Sequence, residues 1–192
     1  MSRPGEALRD NAIVNLATAI TMVVDDSSFA LEPTTQALLG FGIRSRYNCN
    51  SAAKAMEILE VEPIDLLLVN CEMQTMDGYA LVRWLRRSGL DPNAFIPVIM
   101  TAAHLRRTRV VAARDCGANF IITKPFSAKT LLERITWVAR DNRPFLEVGD
   151  YFGPDRRFQM SEPPGEERRA SMIRKAQFEA TKAGAGSEEA KS

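Results

Sequence analysis

Residues 64–78 read IDLLLVNCEMQTMDG and carry the clearest structural signal in the chain. Its first half is an apolar run of strand length that ends in the polar side chain of Asn70. Apolar residues without polar alternation are typical of a strand that is buried on both faces of a sheet. Glu72 and the pair Asp77-Gly78 follow, so we predict a polar loop at the carboxyl end of this strand and a helix after it.

The same pattern recurs on both sides of this segment. Further strand-like runs lie at residues 20–24, 43–47, 95–101 and 120–123, and helix-like segments lie at 29–39, 52–59, 79–87, 105–116 and 128–140. This alternation predicts an α/β fold, a five-stranded, doubly wound parallel sheet with helices on both faces. Ligand sites in such sheets lie at the carboxyl ends of the strands. The side chains expected there are Asp25, Asp26, Asn70, Thr101 and Lys124.

The composition disfavours several classes of protein. Lys and Arg number 25 against 24 Asp and Glu, so the net charge of +1 argues against a protein that holds duplex DNA by neutralising phosphates. No apolar stretch approaches the ~20 residues of a membrane helix, so we expect a cytoplasmic protein without membrane contact. Cys49, Cys71 and Cys116 lack the spacing of a zinc site or a disulfide framework.

The chain divides by composition into four segments. Residues 1–19 form an N-terminal extension before the alternating domain of residues 20–140. Residues 141–164 are rich in Pro and Gly and are predicted to be an irregular linker whose aromatic residues pack back on the domain. Residues 165–192 are predicted to be a short helix and a partly disordered tail, which leaves little room for a DNA-reading domain.

Four segments carry a resemblance to a known family. They are VVDDSS at residues 23–28, DLLLVNCEMQTMDG at 65–78, IPVIMTAAH at 96–104 and GANFIITKPF at 117–126. In this order, and with the alternation between them, they resemble the receiver domains of response regulators, which have the CheY-like fold. The resemblance implies a bacterial signalling protein of the two-component type rather than an enzyme.

Active receivers of this family phosphorylate an aspartate at the end of the third strand and use a divalent cation to do so. The resemblance places the acidic pair that holds the cation at Asp25 and Asp26, with the backbone carbonyl near Glu72 as a further ligand. It places the lysine that contacts the phosphoryl group at Lys124. Oxygen ligands of this kind suit Mg²⁺.

The phosphorylated position is altered. It falls on Asn70, whose carboxamide lacks the anionic oxygen needed to attack phosphorus. The hydroxyl residue that closes on the phosphoryl group in family members falls on Ala102, with Thr101 one place early and therefore on the other face of the strand. We therefore predict no catalytic residue, no required cofactor and only weak Mg²⁺ binding. We also expect the Asn70 amide to bridge the acidic pair and Lys124.

The predicted function is accordingly that of a phosphorylation-independent pseudo-receiver, a signalling adaptor that works through protein contacts. Family members use the surface of the fourth helix, fifth strand and fifth helix for such contacts. Here the fourth helix opens with Arg106, Arg107 and Arg109. These arginines either meet an acidic partner or an anionic ligand, or they form a solvated helix face.

Two alternative functions remain open. Arg156 and Arg157, in the segment YFGPDRRF, resemble the arginines of CheY-like proteins that bind cyclic di-GMP, although Gly-Pro-Asp is also ordinary turn chemistry. The other alternative is a phosphorelay receiver that uses another carboxylate, such as Asp26 or Asp77.

Overall fold

The computed structural model of the protein describes residues 16–104 and 106–156. Five parallel strands form one sheet in the order β2-β1-β3-β4-β5. The strands are β1 (Thr21–Val24), β2 (Arg46–Cys49), β3 (Leu66–Asn70), β4 (Val98–Ala102) and β5 (Phe120–Thr123). The helices are α1 (Ser28–Gly40), α2 (Ala52–Leu59), α3 (Gly78–Arg87), α4 (Arg107–Asp115) and α5 (Ala128–Ala139). The predicted α/β fold class is confirmed.

The core has two layers, one on each face of the sheet. Successive residues of β3 alternate between them, so that Leu67 packs with α2, α3 and α4 while Leu68 packs with α1 and α5. Both side chains are almost completely buried. This burial on two faces explains why the central strands are apolar throughout. No helix in the described residues has the length and hydropathy to cross a membrane.

Two strands lie later in the chain than the sequence pattern predicts. The second strand begins at Arg46 rather than at Ile43, because β2 is at the edge of the sheet and tolerates polar residues. The fourth strand begins at Val98 rather than at Phe95, because Phe95 is the last residue of a 3-10 turn at Asn93–Phe95. The amide of Asn93 donates to the carbonyls of Leu59 and Glu62, both at 2.7 Å, which holds this turn in place.

The segment after α5 differs from the predicted linker. Strands β6 (Phe145–Val148) and β7 (Tyr151–Pro154) form an antiparallel hairpin, and the compact unit continues to Arg156. A regular hairpin therefore lies in part of the segment that was expected to be irregular. The expected packing of the aromatic residues is confirmed for Phe145 and Phe152, whose rings lie 5.3 Å and 5.4 Å from the ring of Phe95. Phe158, and the predicted helix and tail of residues 165–192, lie outside the described residues.

A buried arginine connects the hairpin to the sheet. Arg86 of α3 donates hydrogen bonds to the carbonyls of Ala94 and Gly117 and to the side chain of Asn119. Its guanidinium lies 4.9 Å from the centre of the Phe145 ring. Burial lowers the pKa of this guanidinium to about 10, which leaves it charged at neutral pH. The hairpin thus covers a polar network that would otherwise face solvent.

Candidate functional site

The parallel sheet brings the predicted site residues to one edge. Asp25 follows β1, Asn70 ends β3 and Lys124 follows β5. In the register of the sheet, Asn70 is opposite Thr101, and Ala102 is opposite Thr123. The carboxyl ends of these strands therefore meet, as expected for a doubly wound sheet.

The Asn70 side chain lies at the centre of a hydrogen-bonded network. Its amide nitrogen donates to Asp25 Oδ1 at 3.4 Å and to the backbone carbonyl of Glu72. Its amide oxygen accepts a hydrogen bond from Lys124 Nζ at 3.2 Å, and the same ammonium group forms an ion pair with Asp25 Oδ2. Two acceptors on one side and a cation on the other determine the orientation of the amide.

Only one member of the acidic pair joins this network. Asp25 is almost completely buried, whereas Asp26 is exposed and its Oδ2 accepts the backbone N–H of Gln74 at 2.9 Å. The expected bridge from Asn70 therefore reaches Asp25 and Lys124 but not Asp26. Asp26 instead holds the loop that follows β3.

This arrangement fits a bound Mg²⁺ ion poorly. The N–H groups of Asn70 point at Asp25 Oδ1 and the Glu72 carbonyl, the oxygens that the family resemblance assigns to the cation. Lys124 takes the other oxygen of Asp25. In the part of the chain that the structure describes, no group of three His, Cys, Asp or Glu residues lies close enough to hold a metal ion. A cation would have to displace the amide before it could bind Asp25.

The end of β4 places no hydroxyl group on the face of the sheet that Ala102 occupies. Ala102 is fully buried with Met100 in the layer beneath α4. Thr101 is also buried, and its side chain alternates to the face of the sheet that Ile99 occupies. The strand is regular through both positions, so no bulge rotates the threonine toward the place of Ala102.

The other nearby carboxylates support the backbone. Asp77 is the N-cap of α3 and accepts the N–H of Ala80 at 2.7 Å. Asp65 lies before β3, at the opposite edge of the sheet, and accepts the N–H of Ile20 at 2.8 Å. Gly78 follows Asp77, and a Cβ there would lie 2.2 Å from the carbonyl oxygen of Asn70. The start of α3 therefore packs directly on the backbone of the site.

One ion pair at the site was not predicted. Arg109 of α4 forms an ion pair with the side chain of Glu72, a residue expected to contribute only its backbone carbonyl. Hydrogen bonding from Arg109 lowers the pKa of Glu72. The Nη1 atom of Arg109 is buried without a hydrogen-bond partner. Arg109 thus forms its contacts within the domain, whereas the side chains of Arg106 and Arg107 are exposed. The two partners are 37 residues apart, so no local sequence pattern signals their contact.

Arg156 also forms contacts with other residues of the domain. Its guanidinium forms an ion pair with Asp115 at 2.9 Å and stacks 3.5 Å from the centre of the Tyr151 ring. These contacts within the domain occupy the charge and one face of the guanidinium, and the expectation that Arg156 binds a ligand stays a prediction. Arg157, the second residue of that expectation, lies outside the described residues.

Comparison with known proteins identifies the class to which this fold and site belong. Residues 21–136 match the family described as the response regulator receiver domain. The match covers more than half of the chain, so the chain belongs to this family and carries a receiver domain of two-component signalling.

Individual relatives agree with this assignment. The chemotaxis protein CheY-3 of Vibrio cholerae is 27% identical over 124 residues, which are 65% of this chain and 93% of that protein. The receiver domain of a signal transduction histidine kinase from Syntrophus aciditrophicus has a TM-score of 0.57 and 26% identity, over 68% of this chain and 98% of that chain. The receiver domain of the histidine kinase CKI1 from Arabidopsis thaliana, in complex with Mg²⁺ and BeF₃⁻, is alike in fold. Its TM-score is 0.59 at 21% identity, over 66% of this chain and 93% of that chain.

Proposed function

We propose that the chain is a phosphorylation-independent pseudo-receiver, a signalling adaptor that acts through protein contacts. The observation that carries this proposal is the amide of Asn70 at the end of β3, hydrogen bonded to Asp25, Glu72 and Lys124. The cytoplasm is the expected location of such an adaptor.

The chemistry of the amide supports loss of phosphoryl transfer. An acyl phosphate forms when an anionic carboxylate oxygen attacks phosphorus in line with the leaving group. The oxygen of Asn70 is neutral and already accepts a hydrogen bond from Lys124 at 3.2 Å. Ala102 supplies no hydroxyl to stabilise a transferred phosphoryl group. The first chemical step and its stabilising contact are therefore both absent at these positions.

The amide also supports weak binding of Mg²⁺. Its N–H groups donate hydrogen bonds to two oxygens that a cation would need as ligands. The amide itself adds no negative charge to the site. Affinity for hard cations rises with the number of charged ligands, and Asn70 contributes none. Isothermal titration with Mg²⁺ tests this point, with Asn70→Asp as the matched variant that restores the carboxylate.

Without a phosphorylation step, the surface that binds partner proteins has a single conformation. Membership of the receiver family supports α4, β5 and α5 as this surface, since receivers generally use it for partner contacts. Lys124 follows β5, and Arg109 connects α4 to the loop after β3. These contacts hold the surface in the same state whether or not a kinase is active. Partner binding is then governed by the amount of protein rather than by its modification.

The deciding experiment measures phosphorylation directly. The purified chain is incubated with acetyl phosphate and Mg²⁺, and its intact mass is recorded beside that of Asn70→Asp. We expect no phosphoryl adduct on the wild-type chain. The variant should form an acyl phosphate that hydroxylamine cleaves, which shows that the assay detects modification. A stable phosphoryl group on the wild-type chain, at any carboxylate of the site, would overturn the proposal.

A further inference from the structure

A cavity lies at the edge of the sheet where the parallel strands begin, opposite to the edge that carries Asn70. Its volume is about 340 Å³, near the lower end of the range of about 300–1,000 Å³ that holds small ligands. Leu66, the first residue of β3, lines this cavity. At ~3.3 Å per residue, Leu66 lies about 13 Å from Asn70 along the strand, so the cavity is distinct from the candidate site.

Most of the cavity wall is apolar. It includes Ile43, Leu66, Ile135 and Val138, which belong to the layer between the sheet and the helices α1 and α5. Ile135 and Val138 lie near the end of α5, which finishes at Ala139 beside the cavity. An apolar wall with a few polar groups is typical of a small-ligand site.

Two polar side chains interrupt the apolar wall. Thr21 is fully buried, and its hydroxyl oxygen has no hydrogen-bond partner among the described residues. Asp65 is exposed, and its Oδ2 accepts the N–H of Ile20 at 2.8 Å. Within residues 16–104 and 106–156, Asp65 forms no ion pair, which leaves its other oxygen able to accept a hydrogen bond. The cavity thus offers a carboxylate and a buried hydroxyl that a ligand could satisfy.

The charges around the cavity favour a cation. Asp65 contributes a carboxylate, and the end of α5 at Ala139 contributes the partial negative charge of a helix C-terminus. The last turn of α5 contains no basic residue. Two arginines follow nearby in the chain, but in the described residues neither Arg140 nor Arg46 forms an ion pair with Asp65. Arg46 instead donates to the carbonyl of Ile43 at 3.4 Å.

We infer that this cavity binds a small organic cation, namely a primary amine attached to a compact apolar group. The ammonium group donates to the free oxygen of Asp65, and the apolar group packs against Leu66, Ile135 and Val138. A donor that enters the cavity also gives the hydroxyl of Thr21 a partner. An anion is disfavoured by the carboxylate and by the end of α5. The inference goes beyond the proposed adaptor function and does not depend on it.

Nuclear magnetic resonance tests the inference on the full-length, isotopically labelled chain at neutral pH. The probe is phenethylamine, which carries an ammonium group on a short apolar body. Phenethyl alcohol is a neutral molecule of nearly the same shape, and hydrocinnamate is an anionic one. We expect phenethylamine to cause saturable shifts of the backbone amide signals of Thr21 and Leu66, with no comparable shift at Asn70. The alcohol should bind at least about tenfold more weakly, because it lacks the charge-assisted hydrogen bond, and hydrocinnamate should cause no saturable shift.

Asp65→Asn is the matched variant, because the asparagine oxygen can still accept the N–H of Ile20 while the charge is removed. This variant should bind phenethylamine at least about tenfold more weakly than wild type and should no longer prefer it to the alcohol. Glu147→Gln removes an exposed carboxylate of the hairpin that does not line the cavity, and it should leave the affinity unchanged. The amide spectrum of each variant shows whether the fold is retained. If Asp65→Asn does not fold, the comparison of the three ligands on wild type decides.

Four results would overturn the inference. They are the absence of saturable shifts with phenethylamine, shifts centred on residues outside the cavity, equal affinities of wild type for the amine and the alcohol, and an affinity of folded Asp65→Asn equal to that of wild type. The outcome is independent of the acetyl phosphate experiment. A phosphorylated chain that still binds the amine at the cavity would refute the proposed function alone, whereas an unphosphorylated chain that does not bind it would refute this inference alone.

Discussion

Replacement of Asn70 by aspartate should make the stability of the protein depend on Mg²⁺. The new carboxylate would face Asp25 Oδ1 at the 3.4 Å now spanned by a hydrogen bond, a repulsion of about 5 kcal/mol at an effective dielectric constant of about 20. Lys124, at 3.2 Å from the side-chain oxygen of residue 70, supplies an attraction of similar size. These two contributions nearly cancel.

The remaining cost comes from the lost amide donors. Asp25 and the Glu72 carbonyl each lose a hydrogen bond worth about 1 kcal/mol, so Asn70→Asp should destabilise the cation-free protein by about 2 kcal/mol. For a chain of this size, that loss lowers the melting temperature by about 4–8 °C. Added Mg²⁺ should recover the loss, since a ligand at about 100 times its Kd stabilises the folded state by about 2.7 kcal/mol.

The assay is thermal unfolding followed by circular dichroism, in EDTA and in millimolar Mg²⁺. Wild type should unfold at nearly the same temperature in both buffers, whereas Asn70→Asp should unfold earlier in EDTA and gain stability from Mg²⁺. Asn142→Asp adds the same charge at an exposed position after α5 and serves as the control. Equal stabilisation of wild type and Asn70→Asp by Mg²⁺ would refute the reasoning, because the amide would then not take the place of the cation.

Two further predictions concern the hairpin and the new ion pair. Gly153→Ala should destabilise the fold by about 1–3 kcal/mol in denaturant titrations, because the added Cβ would lie 2.8 Å from the Cα of Gly117. Gly40→Ala is the control and should not destabilise the fold, because a Cβ there meets nothing within 4 Å. An unchanged midpoint for Gly153→Ala would show that the hairpin does not hold this contact. Wild type should be more stable than Glu72→Gln at neutral pH, since the pKa of Glu72 is lowered in the folded state. The greater stability of wild type should shrink as pH falls below 4.5, the ordinary pKa of a glutamate, and through the lowered pKa of Glu72. A stability difference that persists at lower pH would argue against the ion pair with Arg109 as its source.

The central strands could be predicted because a strand that is buried on both faces consists of consecutive apolar residues, which are visible in the local sequence. Residues 66–69 are apolar because both faces of β3 are covered, and the polar residue at the end of that strand marks the edge where the candidate site lies. The predicted edge strand β2 begins too early in the chain, because Ile43 is buried although it lies before the strand. Hydrophobic patterning reports burial, and burial coincides with strand structure only where the strand is central.

The hairpin after α5 could not be predicted from the same signals. Pro and Gly residues between 141 and 156 indicate turns, and a two-stranded hairpin contains few residues with which to show alternation. Its stability depends on Phe95, Arg86 and Gly117, which lie far from it in the chain. The sequence of the hairpin alone therefore does not predict those contacts.

Sequence alone determined the class of fold and predicted that Asp25, Asn70 and Lys124 lie at the carboxyl ends of the strands. Such features follow from side-chain chemistry and from the short periods of strands and helices, which act over a few residues. Tertiary structure decided that the Asn70 amide contacts Asp25 and not Asp26, that Arg109 pairs with Glu72, and that Arg156 is used by Asp115. These contacts join residues distant along the chain, so they exist only once the helices and loops have packed around the sheet.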